Sequence, residues 1–169
     1  KLPHLQRTVV GGSALPQSMI ETFENDYDVA CIHAWGMTEM SPLGTVGHMT
    51  SGLLSNKDAD LMRYKVKQGR VLYGVDMKII NEEGSPLPQD GKAFGELCVK
   101  GPWVTSGYFE ADSSSSFDNE GWFRTGDVAT IDDNGFMEVV DRAKDVIKSG
   151  GEWISSIELE NIAVGHEGV

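Results

Sequence analysis

Four short stretches of this chain hold residue types that can do chemistry, and each also has a plainer explanation. In His33-Ala34-Trp35-Gly36-Met37-Thr38-Glu39-Met40-Ser41-Pro42 an apolar run ends in an aromatic, a glycine and a Thr-Glu pair. Ligands of α/β sheets bind beyond the carboxyl ends of strands. Trp35 is thus placed to pack on a base, Thr38 to hydrogen-bond a phosphate and Glu39 to help hold a hydrated Mg²⁺. The plainer reading is a helix start, with Thr38 as N-cap and Glu39 on the positive end of the dipole, and on these residues alone it is the stronger. In Gly121-Trp122-Phe123-Arg124-Thr125-Gly126-Asp127 the last carboxylate can accept both hydroxyls of a ribose, although an Asp in a turn is common. Gly11-Gly12-Ser13-Ala14-Leu15-Pro16 lets backbone come close to a flat ligand, where a tight strand-to-helix turn alone would account for it. In the run from Asp141 to Trp153, Arg142 is permanently charged and can contact ribose or phosphate; packed charges otherwise mark a solvated linker.

The elements around these stretches change character along the chain. Gln6 to Val10 reads as a short buried strand entering a turn at Gly11-Gly12. Pro16 sits as a first helical residue with Ser13 as a cap nearby, and Met19, Ile20 and Phe23 give a helical stripe to about Asn25. Val29 to Trp35 reads as a second buried strand, so a parallel α/β sheet is expected. Asn56 to Lys67 reads as a short charged helix or loop. From Gly69 the chain is β-rich, with strands expected at Val75–Ile80, Gly95–Lys100, Val104–Phe109, Val128–Ile131 and Phe136–Val140, and a polar loop at Ser113–Ser116. Asp133-Asn134-Gly135 is a hairpin turn in which Asn and Gly both tolerate positive φ. Ser155-x-x-Glu158 resembles a capping box before a helix from Ile157 to Ala163.

The chain has 169 residues, 40% apolar and 24% charged, the balance of a globular protein. Its formal net charge of −12 argues against a nucleic-acid partner. An anionic substrate must be held by local features, because the long-range field opposes it. Cys31 and Cys98 stand far apart in apolar runs and read as buried thiols of a reducing compartment, the cytoplasm. His4, His33, His48 and His166 form no metal-ligand pattern. No apolar run is long enough to cross a membrane. The change from α/β to β-rich and then to a fresh strand and helix leads to the expectation of parts of two or three subdomains of something larger; the chain also lacks an initiator Met and stops in Gly165-His166-Glu167-Gly168-Val169.

The order and spacing of the four stretches resemble the adenylate-forming superfamily, from about Thr8 to Asn161. The likeness includes Gly11 to Pro16, Trp35 to Glu39, Gly95-Glu96-Leu97 with Gly101 and Gly107-Tyr108, Thr125-Gly126-Asp127, and Asp141 to Glu160. Within it, His33 to Pro42 and Lys148 to Ser155 look most like medium- and long-chain fatty-acyl-CoA synthetases, and like the related ligase for methylthiopropionate. The resemblance implies an α/β fold with a β-rich part: the C-terminal half of the large N-terminal domain of such an enzyme plus the start of its small C-terminal domain. The large domain would take 1–143, its α/β part about 1–67 and its β-rich part about 68–143; 144–169 would be the hinge and the start of the small domain. It also implies activation of a carboxylic acid by ATP with Mg²⁺, release of AMP, and CoA as co-substrate; an aryl or amino acid substrate, or an inactive nucleotide-binding fragment, are the alternatives.

Residue by residue, the resemblance implies that Gly12, Ser13 and Ala14 line the adenine with Trp35 against it. Thr38 would contact the α-phosphate and Glu39 the Mg²⁺, which makes them the catalytic pair. Asp127 would bind the ribose hydroxyls and Arg142 the ribose or phosphate. Gly36 and Met37 would wall the acyl pocket, and Lys144 would be the hinge. Gly150 and Gly151 would border the pantetheine tunnel, and Trp153 would approach the nucleotide in one conformation. A glycine-rich phosphate loop ending in Lys is expected upstream, since no glycine-lysine pair follows Thr50-Ser51-Gly52, and an adenylation lysine is expected beyond Val169. The isolated chain is therefore expected to be inactive.

Overall fold

The computed structural model describes residues 4–110, 115–145, 147–149, 152–156, 159 and 163. The chain divides into two compact units: one from Lys1–Val75, Gly101–Thr105 and Asn134–Met137, the other from Asp76–Lys100, Ser106–Asp133 and Glu138–Val169.

In the first unit, β1 (Arg7–Val10), α1 (Gln17–Tyr27) and β2 (Ala30–Gly36) form the expected strand, helix and strand. The two strands are parallel, in register from Arg7 opposite Ala30 to Val10 opposite His33. A parallel pair needs a crossover, and α1 supplies it, burying Ile20 with Leu15 and Cys31 under Val10, Phe23, Met62 and Val66. The helix start differs from expectation. Pro16 is the N-cap residue and not the first helical one, and no side chain caps the helix, so Ser13 is not a cap. Pro16 instead offers its carbonyl to the amides of Met19 and Ile20.

β3 (Leu43–Val46) runs antiparallel to β2 and was not foreseen. It follows a cis Ser41–Pro42 peptide bond. The next segment holds α2 (Ser51–Ser55), whose Leu53 amide donates to Thr50 Oγ1, and the single turn α3 (Met62–Lys65). The expected helix or loop at Asn56–Lys67 is thus a loop and one turn. β4 (Gly69–Val71) pairs with β3 and with the first two residues of β8 (Phe136–Arg142). Leu53, Tyr64 and Phe136 make a small core beside Met49 and Leu61.

In the second unit, β5 (Asp76–Ile80), β6 (Phe94–Lys100) and β7 (Phe123–Ile131) form an antiparallel meander, and β8 neighbours β7 in the strand order. Ile79, Leu97, Cys98, Val99, Phe123, Val128 and Ile131 fill its core. β9 (Ile147–Ser149) and β10 (Glu152–Ile154) make an antiparallel hairpin.

One further expectation is corrected, and the expected turn at Asp133-Asn134-Gly135 is found between β7 and β8. Val104–Phe109 is not a strand: Val104 closes a turn on the Gly101 carbonyl, and Thr105 donates to the Glu39 carbonyl instead of to a neighbouring strand. Gly101, Pro102 and Gly107 break the run that Val104 and Tyr108 suggest. In Asn134-Gly135 only Gly135 has positive φ, 77°, while Asn134 keeps ordinary backbone and donates its Nδ2 to the Tyr64 hydroxyl. Part of the Ser113–Ser116 loop, Glu158 of the capping box and most of the helix at Ile157–Ala163 lie outside the described residues.

Candidate functional site

Because β1 and β2 are parallel, the loops that follow them leave the same end of the sheet. That brings Gly11–Pro16 and Trp35–Glu39 together within the first unit. A Cβ on Gly11 would lie 3.3 Å from the Ala34 carbonyl oxygen, so the loop starts in contact with β2. Gly12 has φ 78°, and a Cβ there would meet no neighbour within 4 Å. It combines a left-handed backbone with an open approach, the combination that lets a main chain lie against a flat ligand. His33 Nε2 stands 3.1 Å from the Ser13 carbonyl oxygen.

Trp35 is 9% exposed. Its six-membered ring lies over Gly44, where a Cβ would be 2.6 Å away, so only a small part of it is open to a ligand. Gly36 is packed against Pro42, whose carbonyl oxygen would be 1.9 Å from a Cβ. Met37 is the extended N-cap residue of a one-turn 3-10 helix, Thr38–Met40. Thr38 is therefore not the cap that the plainer reading made it; it is the first residue of the turn, and it is exposed. Glu39 is half-buried beside it, and its carbonyl accepts the Thr105 amide at 2.7 Å. Trp103 Nε1 donates to the Leu43 carbonyl, so the Gly101–Thr105 segment braces both sides of this turn. Sequence reasoning missed that brace.

In the second unit Asp127 is in mid-strand, not in a turn. The β6–β7 pairing shifts register: Glu96 faces Val128 and Cys98 faces Arg124, which leaves Thr125, Gly126 and Asp127 in a bulge. Thr125 Oγ1 donates to the Leu97 carbonyl and accepts the Asp127 amide, which fixes the bulge. Asp127 is 5% exposed at its side chain, and its Oδ1 lies 2.9 Å from Nε of Arg142, 56% exposed, on β8. The Ala143 amide donates to the Gly126 carbonyl. A buried carboxylate paired with a cation, at a bulge whose Gly126 has open space beside it, is a fit acceptor for a vicinal diol.

Lys144 is exposed, within a turn that the Asp145 amide closes on the Arg142 carbonyl at 3.0 Å. Just before it, the buried Asp141 accepts the amides of Arg142 and Ser156, both at 2.7 Å. Burial alone would raise the Asp141 pKa, but these amides outweigh it and hold the carboxyl below the usual range. Burial pushes the Cys98 thiol up to about 11, so neither the sulfur nor its surroundings suit a nucleophile. Gly150 and Gly151 lie outside the described residues, as does the side chain of Trp153.

Among the described residues no group of three His, Cys, Asp or Glu side chains could hold a metal ion. Mg²⁺ does not need one, since it keeps several waters and binds through one or two carboxylates plus substrate phosphates. Glu39 fits that mode. Nor is any helix of the described residues long and apolar enough to cross a membrane.

The profile of the AMP-binding enzymes matches residues 1–109, and the chain belongs to that family. It is 52% identical over 166 residues to a medium-chain-fatty-acid–CoA ligase of Ectopseudomonas oleovorans, covering 98% of this chain and 30% of that protein. It is 50% identical over 166 residues to a 3-methylmercaptopropionyl-CoA ligase of Ruegeria lacuscaerulensis, covering 98% of this chain and 31% of that protein. The solved o-succinylbenzoate coenzyme A synthetase of Bacillus subtilis, in complex with ATP and magnesium ion, matches with TM-score 0.79 and 31% identity over 95% of this chain and 31% of that one. The chain thus spans about 30% of the length of these relatives.

Proposed function

We propose that this chain is a segment of an AMP-forming fatty-acid–CoA ligase. The acid's carboxylate attacks the α-phosphorus of ATP, forming acyl-AMP and releasing pyrophosphate. The CoA thiol then attacks the acyl carbon and releases AMP and a proton. The observation that carries this reading is identity of half the residues, along nearly the whole chain, to acid–CoA ligases.

Gly12, Ser13 and Ala14 border the adenine with the open edge of Trp35. The exposed Thr38 hydroxyl meets the α-phosphate. Glu39 holds a hydrated Mg²⁺, whose charge offsets that of the triphosphate. Asp127 accepts the ribose hydroxyls, and Arg142 supplies positive charge to ribose or phosphate. Gly36 and Met37 border the acyl group. Catalysis then rests on positioning and on charges set in advance. Residues 1–143 belong to the large domain, and Lys144 is the hinge from which the small domain begins. The free, buried cysteines support a cytoplasmic location.

A second reading, a ligase for 3-methylmercaptopropionate, is favoured by the 50% identical relative. Acid-dependent ATP–pyrophosphate exchange and CoA thioester formation by the full-length protein separate the two, over a panel of acetate, octanoate, palmitate, 3-methylmercaptopropionate and cinnamate. Octanoate should be the best substrate. A preference for the sulfur acid moves the conclusion to the second reading, and exchange with none of them overturns both.

A further inference from the structure

We propose that His33 is a positioning residue for the purine loop, holding the Ser13 carbonyl through Nε2 while Nδ1 anchors it to Val66. The inference rests on the nucleotide role given above to Gly12–Ala14. His33 is 1% exposed. Its Nδ1 lies 2.8 Å from the Val66 carbonyl oxygen and its Nε2 3.1 Å from the Ser13 carbonyl oxygen. Both partners are acceptors only. A neutral imidazole has one N–H for them and an imidazolium has two. The hold on Ser13 therefore needs the proton on Nε2, and both contacts are hydrogen bonds at once only when both nitrogens carry protons; each nitrogen faces main chain, which leaves none for a ligand, so His33 acts through the loop.

The loop has reason to need a tether. Gly12 is the left-handed residue between two fixed points, Gly11 packed on Ala34 and Ser13 held by His33. A glycine samples more backbone conformations than any other residue, and Ser13 is not anchored as a cap of α1. The far end of the tether is firm. Val66 follows α3, where Lys65 pairs with Glu24 on α1 at 2.6 Å, and Thr45 Oγ1 donates to the Gln68 carbonyl two residues on. His33 therefore carries the position of a braced segment to the carbonyl of a loop that its own glycine leaves loose.

Isosteric substitution separates this role from simple packing. A glutamine amide nitrogen takes the place of Nε2 and an asparagine nitrogen that of Nδ1. In the full-length protein, His33→Gln should keep KM for ATP within about threefold in acid-dependent pyrophosphate exchange, whereas His33→Asn and His33→Leu should raise it about tenfold or more. KM for the acid should stay within about twofold in all three. Equal effects of Gln and Asn on KM for ATP, no effect of any variant, or a change that follows melting temperature overturns the inference and leaves the ligase reading intact. A wild-type protein without exchange overturns both. Hydrogen exchange of residues 11–16 needs no turnover and serves if a variant is too unstable to assay. It should speed up in His33→Leu and not in His33→Gln, and the same increase in both overturns the inference.

Discussion

Arg142 rests its Nε 2.9 Å from Oδ1 of Asp127, an exposed cation on a buried carboxylate. With the cation more than half in water, the pair adds little to stability; its effect is to hold the carboxylate in place at a strand bulge. Asp127→Ala should therefore cost substrate binding more than folding. A hydrogen bond to a charged group contributes about 1.5–3 kcal/mol, so KM for ATP in pyrophosphate exchange should rise about ten- to a hundredfold. A change below about twofold, with a normal melting temperature, would remove Asp127 from the site.

Glu39→Gln should act through the metal. The 3-10 turn that carries Glu39 is braced through its backbone by Thr105, so the substitution leaves the turn in place. Exchange activity should drop at low Mg²⁺ and recover in part as Mg²⁺ is raised, since a weaker site is filled by mass action. A loss that Mg²⁺ does not touch rules out the metal role.

Lys144 tests the hinge. Ala143 and Lys144 are the two central residues of the turn closed by Asp145 on Arg142. Proline fixes φ near −65° and disfavours the helical region for the residue before it. Lys144→Pro should leave pyrophosphate exchange within about tenfold and lower acyl-CoA formation at least about 100-fold, or ~2.7 kcal/mol. Lys144→Ala, which removes the charge and leaves the backbone free, should spare both half-reactions. Equal losses in the two half-reactions for the proline variant would place the hinge elsewhere.

Asp141 gives a pH dependence with a definite sign. Its folded pKa is depressed, so its contribution is present above the unfolded carboxylate value near ~4 and is lost as pH falls through the folded value. Wild type should melt higher than Asp141→Asn at neutral pH, and the gap should close in acid. A gap that stays constant down to pH ~2 shows that the carboxyl is not the group responsible.

The parallel β1–α1–β2 unit was legible because two apolar runs with a helical stripe between them leave little choice but a crossover. β3 was not, because Leu43-Gly44-Thr45-Val46 shows no alternation; its glycine answers to the Trp35 ring, a contact that no local pattern reveals. Asp127 and Arg142 were legible as residue types in a familiar order, but the bulge that aims Asp127 depends on register against β6. Thr38 reads as a helix cap because a Thr-Glu pair has that chemistry anywhere, whereas in the fold Met37 takes the cap position of a three-residue turn. His33 stands in no metal-ligand pattern. Its partners stand 20 and 33 residues away and are main-chain carbonyls, which carry no signature in a sequence.

Gly12 and Gly36 differ in how they would respond to inherited variation. At Gly12 a methyl group has room, so alanine there would meet only the cost of a left-handed backbone, about 1–2 kcal/mol. At Gly36 the backbone is ordinary, but a Cβ would fall 1.9 Å from one Pro42 backbone atom and 2.8 Å from another. Every missense change of a glycine codon introduces a Cβ. No such allele at Gly36 can keep the end of β2 and Pro42 where they now lie, so a gene encoding this arrangement has no single-residue step away from glycine at that position.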